Sequence, residues 1–227
     1  MKILIANWKL NPQKLAEAKA LLAAFGRVRT RNKVIVCPPF PYLGILKTKL
    51  ALGAQNVSEQ ESGAHTGEVS AGMLRQFKVK YAIVGHSERR ALGETDAQIN
   101  AKLKIALVNK IMPILCVGFG LTAEMSEEEA MVHLQHQLQA NLAGVDPKKI
   151  IIAYEPVWAI GSGKPATPEH AERVAMFIRI KFKAGKILYG GSTDAENAAG
   201  FLRKEVDGLL VGGSSLKKEQ FVKMIQS

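Results

Sequence analysis

Residues Ile150–Lys164 read I-I-I-A-Y-E-P-V-W-A-I-G-S-G-K, and the rest of the chain is interpreted from this stretch outward. The β-branched run Ile150–Ile152 is typical of a strand buried on both faces. The strand ends in a carboxylate, Glu155, and Pro156 disfavours helix at the residue before it. A carboxylate in that position is partly desolvated, which strengthens proton binding and suits it to act as a base. A strand-end glutamate that caps a neighbouring group is the plainer alternative.

Eight short apolar runs, each rich in Ile, Val, Leu or Ala, predict eight strands. They are Ile3–Ala6, Lys33–Cys37, Ala54–Val57, Tyr81–Val84, Met112–Val117, Ile150–Tyr154, Lys186–Tyr189 and Gly208–Val211. Helical segments with recognisable boundary signals lie between most of them. The signals are Asn11–Pro12 and Thr167–Pro168 as helix starts, Ser126 with Glu129 and Thr193 with Glu196 as capping boxes, and Gly185 as a helix stop.

Strand and helix alternate along the whole chain, which predicts an α/β fold with a parallel sheet. Eight such units that close on themselves form a (β/α)8 barrel, for which about 250 residues is typical. The chain has 227 residues, so we expect a somewhat shortened barrel. A doubly wound open sheet is the structural alternative. No linker or shift in composition divides the chain, which predicts one domain over residues 1–227.

Composition indicates an ordinary globular protein, with 47% hydrophobic and 22% charged residues. The N-terminus does not resemble a signal peptide, and no apolar run approaches the ~18 residues of a membrane span. Cys37 and Cys116 lie in apolar runs, which favours buried free thiols over a disulfide. We therefore expect a cytoplasmic protein. The net charge of +11 comes from Lys and Arg residues that are scattered over helical segments without basic blocks or interleaved aromatics, so no nucleic-acid partner is expected. Because no apolar run is long enough to span a bilayer, no membrane partner is expected either.

Titratable and glycine-rich groups follow the predicted strands, where a barrel carries its chemistry. They are Asn7–Lys9, Gly85–Arg90, Glu155, Gly190–Ser192 and Gly212–Ser214. The two glycine pairs expose backbone amides that bind phosphate, although glycines also simply permit tight turns. A base, a histidine kept neutral at a helix start, a lysine and a phosphate site together suggest proton abstraction beside a carbonyl through an enediolate.

The motifs resemble those of the triosephosphate isomerase family. N-W-K at Asn7–Lys9, G-H-S-E-R-R at Gly85–Arg90 and Y-E-P-V-W-A-I-G-S-G-K at Tyr154–Lys164 carry the resemblance, and Y-G-G-S at Tyr189–Ser192 and V-G-G-S-S-L at Val211–Leu216 continue it in family order. The resemblance covers essentially the whole chain. It implies interconversion of dihydroxyacetone phosphate and D-glyceraldehyde 3-phosphate, a small phosphorylated substrate, with no cofactor and no metal.

Residue roles follow from the same resemblance, position by position. Glu155 matches the family's base and His86 its electrophile, while Lys9 with Asn7 would hold the substrate oxygens. Further matches are Gly161, Ser192, Gly212 and Gly213 for phosphate binding, Ser87 and Glu88 as supports of His86 and Lys9, and Pro156–Ala166 as a lid. The segment Gly63–Ser70 resembles a loop that inserts into a second subunit, with Thr66 nearest that site, which implies a homodimer, although some relatives are tetramers.

Three features depart from the family pattern. Phe119 stands where a glutamate near the lid tryptophan, Trp158, is usual. Pro165 occupies a lid hinge, where its fixed φ changes the backbone freedom. The chain is also short between Pro168 and Lys186, so one helix must lead directly into the seventh strand, and we expect a thinner ring of helices there.

Other motifs give weaker alternatives. Gly118-x-Gly120-x-x-Ala123 matches a dinucleotide fingerprint loosely, and Gly161–Lys164 is followed by Pro165 where a P-loop needs Ser or Thr. His133 and His136 share a helix face but have no evident third metal ligand. A non-catalytic barrel that binds phosphorylated ligands or nucleic acid is the functional alternative.

Overall fold

A computed structural model describes residues 1–159 and 166–227 of the chain. Its parallel strands form a closed barrel in which each strand pairs with the next and the eighth pairs with the first. The (β/α)8 prediction is thereby confirmed, since a doubly wound sheet would not close on itself. The strands are β1 (Ile3–Asn7), β2 (Lys33–Cys37), β3 (Ala51–Ala54), β4 (Tyr81–Val84), β5 (Met112–Val117), β6 (Ile151–Tyr154), β7 (Lys186–Tyr189) and β8 (Gly208–Val211).

Helices between the strands cover the outside of the barrel. Those in the described ranges are α1 (Leu15–Gly26), α2 (Phe40–Leu43), α3 (Ala71–Gln76), α4 (Ser87–Ala91), α5 (Asp96–Val108), α6 (Glu127–Asn141), α7 (Pro168–Phe182), α8 (Ala198–Phe201) and α9 (Lys218–Gln226). Short 3-10 turns occupy Pro147–Lys149, Val157–Ala159 and Gly213–Leu216. Across both described ranges, no helix has the length and apolar character needed to cross a bilayer.

The barrel interior is filled by aliphatic side chains from alternate strand positions, among them Ile5, Ile83 and Leu188. Cys37 and Cys116 belong to this interior cluster, and both are free and buried, as predicted. Burial raises the pKa of both thiols, so neither is a reactive thiolate at neutral pH.

Gly208 allows the first and last strands to meet. It pairs with Ile3 across the seam between β1 and β8. A Cβ atom at position 208 would lie 1.9 Å from the carbonyl oxygen of Ile3, far inside van der Waals contact. A glycine is therefore required where the ring closes.

Two predicted element boundaries are wrong. The third strand is Ala51–Ala54, three residues earlier than predicted, and its register is set by pairing with β2 and β4. Its sequence, A-L-G-A, has little intrinsic strand preference, so the neighbouring strands decide its position. The first helix begins at Leu15 with Lys14 as N-cap, and Asn11–Pro12 precedes it.

Two helix boundary signals also fail, whereas two others are confirmed. Thr193 and Glu196 form no capping box, because Asp194 instead accepts hydrogen bonds from the amides of Glu196 and Asn197, both at 2.9 Å. Gly185 does not end α7, since Lys183 in the left-handed conformation follows the last helical residue. The Ser126 with Glu129 capping box and the Thr167–Pro168 start are present.

The prediction that one helix leads directly into the seventh strand is confirmed. Helix α7 leads into β7 through residues 183–185 alone, and α8, between β7 and β8, is four residues long. The short connection and the short helix therefore lie in the outer layer. All eight strands are present, and with them the strand ends that carry the site residues.

Candidate active site

A cavity of about 460 Å³ opens at the carboxyl ends of the strands. Side chains and backbone that follow β1, β4, β6, β7 and β8 line it. Of the predicted site residues, the structure brings together Asn7, Lys9, His86, Glu155, Ser192, Gly212 and Gly213. Gly161 lies outside the described residues.

Glu155 is held directly after β6 by its backbone. Its amide donates to the Val117 carbonyl at 2.7 Å, and Gly118 passes so close that a Cβ there would lie 2.3 Å from the Glu155 carbonyl oxygen. The side chain is 2% exposed, and Oε2 accepts a hydrogen bond from the Ser87 amide at 3.1 Å. Burial, and after it the charge of Glu155, raise the pKa of the neighbouring Cys116 thiol. A buried carboxylate with a free lone pair can take a proton from a bound ligand.

His86 presents a single ring nitrogen to Glu155. It is the N-cap of α4, and its Nδ1 accepts a hydrogen bond from the Glu88 amide at 3.2 Å. Because an acceptor nitrogen carries no proton, the proton of the neutral ring lies on Nε2, which is 3.3 Å from Oε1 of Glu155. The neutral ring can therefore donate a proton at the place where the base receives one.

Lys9 projects into the same cavity from a strained backbone. Its φ is +52°, a left-handed conformation that costs a non-glycine residue about 1–3 kcal/mol. The Lys9 amide donates to Oδ1 of Asn7 at 3.1 Å, and the Lys9 carbonyl accepts from Nε2 of Gln55 at 2.8 Å. Its ammonium pairs with Glu88 at 2.6 Å. Asn7 and Gln55 thus hold the backbone of Lys9 in place, and Glu88 orients its ammonium group.

Two glycine-rich loops also line the cavity. Gly190–Ser192 follows β7 and Gly212–Ser214 follows β8, and both segments line the space. The second loop is a 3-10 turn, closed by a hydrogen bond from the Ser215 amide to the Gly212 carbonyl at 2.8 Å. Backbone this close to the cavity suits an anionic group such as phosphate.

Ser87 and Glu88 support the site in different ways. Glu88 contacts Lys9 as expected. Ser87, expected beside His86, instead directs its amide to Glu155. The N-terminal turn of α4 therefore contacts all three candidate catalytic residues.

Trp158 packs on His170 in this chain. The two rings meet edge to face with centroids 6.1 Å apart, and Nε2 of His170 lies 2.9 Å from the Tyr154 hydroxyl. Phe119, the departure from the family pattern, carries no charge that could hold the indole. The remaining positions of the predicted lid and its hinge, 160–165, lie outside the described residues.

Stability should depend on His170 at mildly acidic pH. Burial and the nearby Arg173 lower the pKa of His170 below the usual 6.5, with Glu127 opposing them. The unfolded chain therefore takes up a proton that the folded chain does not, so stability falls as the pH drops below about 6.5. We expect His170→Gln to reduce the difference in melting temperature between about pH 5 and about pH 7.5. An undiminished difference, measured by circular dichroism, would contradict this.

Arg90, in α4, joins the end of β4 to the start of α5 and the end of α6. Its buried guanidinium donates to the Gly85 carbonyl and to Asn141, both at 2.8 Å, and pairs with Asp96 at 2.7 Å. We expect Arg90→Met to lower the free energy of unfolding by about 3 kcal/mol, because these acceptors lose their partner. Urea unfolding measures this loss, and a change below about 1 kcal/mol would show that the network contributes little.

The weaker motifs do not form sites. Gly118 packs against Glu155, and no helix begins after Gly120 until Glu127, so the dinucleotide fingerprint is wrong. Nε2 of His133 is bonded to the Phe119 carbonyl at 2.8 Å. Over residues 1–159 and 166–227, no three His, Cys, Asp or Glu side chains are grouped to hold a metal ion.

The sequence does not predict some residues at and beside the site. Gln55 follows β3 directly and donates to the Lys9 carbonyl, but the predicted third strand, Ala54–Val57, includes it. Thr193, Asp194 and Asn197 line the cavity beyond the first glycine pair, where the sequence predicts only a capping box of Thr193 with Glu196. The signal for Gln55 is its position directly after Ala54, the last residue of the observed strand.

Comparison with known proteins agrees with this geometry. A family model described as triosephosphate isomerase matches residues 2–227. The triosephosphate isomerase of Mesomycoplasma hyorhinis is 43% identical, over 98% of this chain and 97% of that protein. The enzymes so named from Thiobacillus denitrificans and Azoarcus sp. are 47% and 45% identical, each over 97% of this chain and 96% of its own length. The chain belongs to the triosephosphate isomerase family.

Proposed function

We propose that this protein interconverts dihydroxyacetone phosphate and D-glyceraldehyde 3-phosphate by proton transfer through an enediolate. One observation carries the proposal: a buried carboxylate, an imidazole and an ammonium group line the same cavity as two glycine-rich loops. Family membership makes the protein an isomerase and fits the same reaction.

Glu155 moves the proton between the two substrate carbons. Its carboxylate removes a proton from the carbon beside the carbonyl, and the electron pair passes to the carbonyl oxygen. The carboxyl then returns a proton to the neighbouring carbon. Because Oε2 accepts a hydrogen bond from the Ser87 amide, the side chain exchanges that bond for contact with the substrate. The low exposure of Glu155 favours this exchange, since little water competes for the carboxylate.

His86 and Lys9 stabilise the charge that develops on the substrate oxygens. His86 donates its Nε2 proton to the carbonyl oxygen as negative charge builds there, and Nε2 then takes the proton of the neighbouring hydroxyl, which becomes the new carbonyl. The Lys9 ammonium stabilises the enediolate electrostatically, with Asn7 beside it. These fixed protein groups stabilise the developing charge in place of water molecules that would have to reorient. The reaction therefore needs no cofactor.

Ser192, Gly212 and Gly213 bind the phosphate in this scheme. Gly161 is predicted to join them when Pro156–Ala166 closes over the substrate. Phosphate binding would anchor the substrate while the reacting carbons reach Glu155, which converts binding energy into orientation.

Assembly as a cytoplasmic homodimer through Gly63–Ser70 is part of the proposal. Residues 63–68 are exposed in the single chain, including Thr66, as expected of a loop that inserts into a partner. Light scattering coupled to size-exclusion chromatography gives the mass directly. A monomer would contradict the dimer, whereas twice the dimer mass would indicate a tetramer.

Turnover distinguishes this function from the non-catalytic alternative. A phosphate-binding barrel needs no base, so a buried Glu155 beside His86 does not favour it. The test is a coupled assay with D-glyceraldehyde 3-phosphate, in which a dehydrogenase reports dihydroxyacetone phosphate. We expect saturable turnover by the purified chain. Tight binding of a triose phosphate without turnover would support the alternative instead.

A further inference from the structure

The net charge of +11 is concentrated at one end of the barrel. Connections that lead from a helix into the next strand lie where the strands begin, opposite the candidate site. We define the N-terminal face as residues 1–3, 27–33, 44–51, 77–81, 109–112, 142–151, 183–186 and 202–208. These segments are all described, and they hold sixteen of the 31 Lys and Arg residues but three of the 20 Asp and Glu residues.

The remainder of the chain is close to neutral, with fifteen basic and seventeen acidic residues. Fourteen of the sixteen cations on the face are exposed. Within the described residues, only Lys186 and Arg203 among the sixteen form ion pairs with acidic side chains. The acids Glu205 and Asp207 are themselves paired, with Arg179. The face therefore carries the whole charge excess, and the expectation of scattered cations is corrected.

Exposed apolar side chains lie among these cations. Met1 is 86% exposed, and Ile45, Phe77 and Met112 are each at least 40% exposed. Val108 and Ile180, in the last turns of α5 and α7, are 74% and 72% exposed. Basic side chains mixed with aliphatic ones are typical of surfaces that lie on lipid headgroups. Single-stranded nucleic acid is instead bound by aromatic stacking, and within these described segments Phe77 is the sole exposed aromatic residue.

We propose that the N-terminal face docks this protein peripherally and reversibly on a bilayer that contains anionic phospholipids. The cations interact with the headgroups, and the aliphatic side chains enter the interface. The candidate site opens at the opposite end of the barrel and so remains accessible to substrate. Docking revises the expectation of no membrane partner and needs no spanning helix. It does not depend on the proposed enzymatic function.

Vesicle sedimentation tests the docking. Wild-type protein is mixed with vesicles of phosphatidylcholine alone, or with about one-third phosphatidylglycerol, at about 0.05 M salt. We expect sedimentation with the anionic vesicles alone, and release at about 0.5 M salt, where screening shortens the range of the charges. Equal sedimentation with both vesicle types, or with neither, would overturn the proposal.

Matched variants distinguish vesicle binding by the N-terminal face from a general effect of the protein's net charge. The triple variant Arg27→Gln, Arg29→Gln, Arg31→Gln removes three exposed cations from the face, and we expect binding to weaken on the order of 100-fold. The control Lys14→Gln, Lys19→Gln, Lys218→Gln removes the same charge toward the N-terminal ends of α1 and α9, which lie away from the face. For this control we expect binding to weaken less than about threefold. Equal losses would overturn the docking face. Circular dichroism verifies that each variant is folded.

A second pair of substitutions separates lipid from nucleic acid. Val108→Gln with Ile180→Gln leaves the charge unchanged, so it should weaken vesicle binding several-fold but leave retention on double-stranded DNA unaltered. Retention on DNA without binding to anionic vesicles would assign the face to nucleic acid and overturn the proposal.

Discussion

Replacing Glu155 by glutamine lowers kcat about 10²–10⁴-fold in both directions of the isomerisation, because an amide cannot accept the substrate proton. Glutamine has the same size and can still accept the Ser87 hydrogen bond, which is 3.1 Å long in the wild-type protein. The fold and the phosphate site therefore remain. Steady-state kinetics with each triose phosphate measure the loss, and binding of glycerol 3-phosphate, which cannot react, shows whether the site is intact.

Glu128→Gln is the control for this substitution. Glu128 is an exposed residue in the first turn of α6, away from the cavity, and its replacement should leave kcat unchanged. If Glu155→Gln and Glu128→Gln turn over equally fast, Glu155 is not the base. Lost turnover together with lost binding would instead indicate a damaged cavity.

Lys9→Met is expected to lower kcat about 10²–10³-fold, because a preorganised cation no longer faces the oxygen on which charge develops. Since Lys9 pairs with Glu88, whose side chain is 59% exposed, water can solvate the carboxylate that is left behind. The melting temperature should therefore change little. A large loss of activity without loss of stability would identify an electrostatic role.

Lys14→Met provides the comparison, since Lys14 is an exposed lysine that follows the same strand. Its kinetics should match the wild-type protein in buffers of equal ionic strength. If both variants lose activity to the same small extent, Lys9 contributes only to the general attraction of an anionic substrate.

Most strands were predictable from the sequence, because a strand that is buried on both faces has a continuous run of apolar residues. Ile151–Tyr154 and Gly208–Val211 show this clearly. Ala51–Ala54 was misplaced because alanine and glycine specify little, and its position depends on backbone pairing with distant residues such as Ile35. Local signals failed similarly at Asp194, where a side chain bonds two amides outside any helix.

Site residues at strand ends were predictable from barrel geometry, because all carboxyl ends meet on one rim. Lys9, His86 and Glu155 lie together for that reason. Their mutual contacts were not predictable. The Ser87 amide reaches Glu155 across 68 positions of chain, and the packing of Trp158 on His170 depends on the relative placement of two elements.

Gly208 has a consequence for the order in which the barrel assembles. The ring is completed only when β8 pairs with both β7 and β1. A chain in which β8 has not yet docked therefore exposes hydrogen-bonding edges on β1 and β7 at once. Such edges invite pairing with other chains, so the form with β8 undocked is the one most open to aggregation.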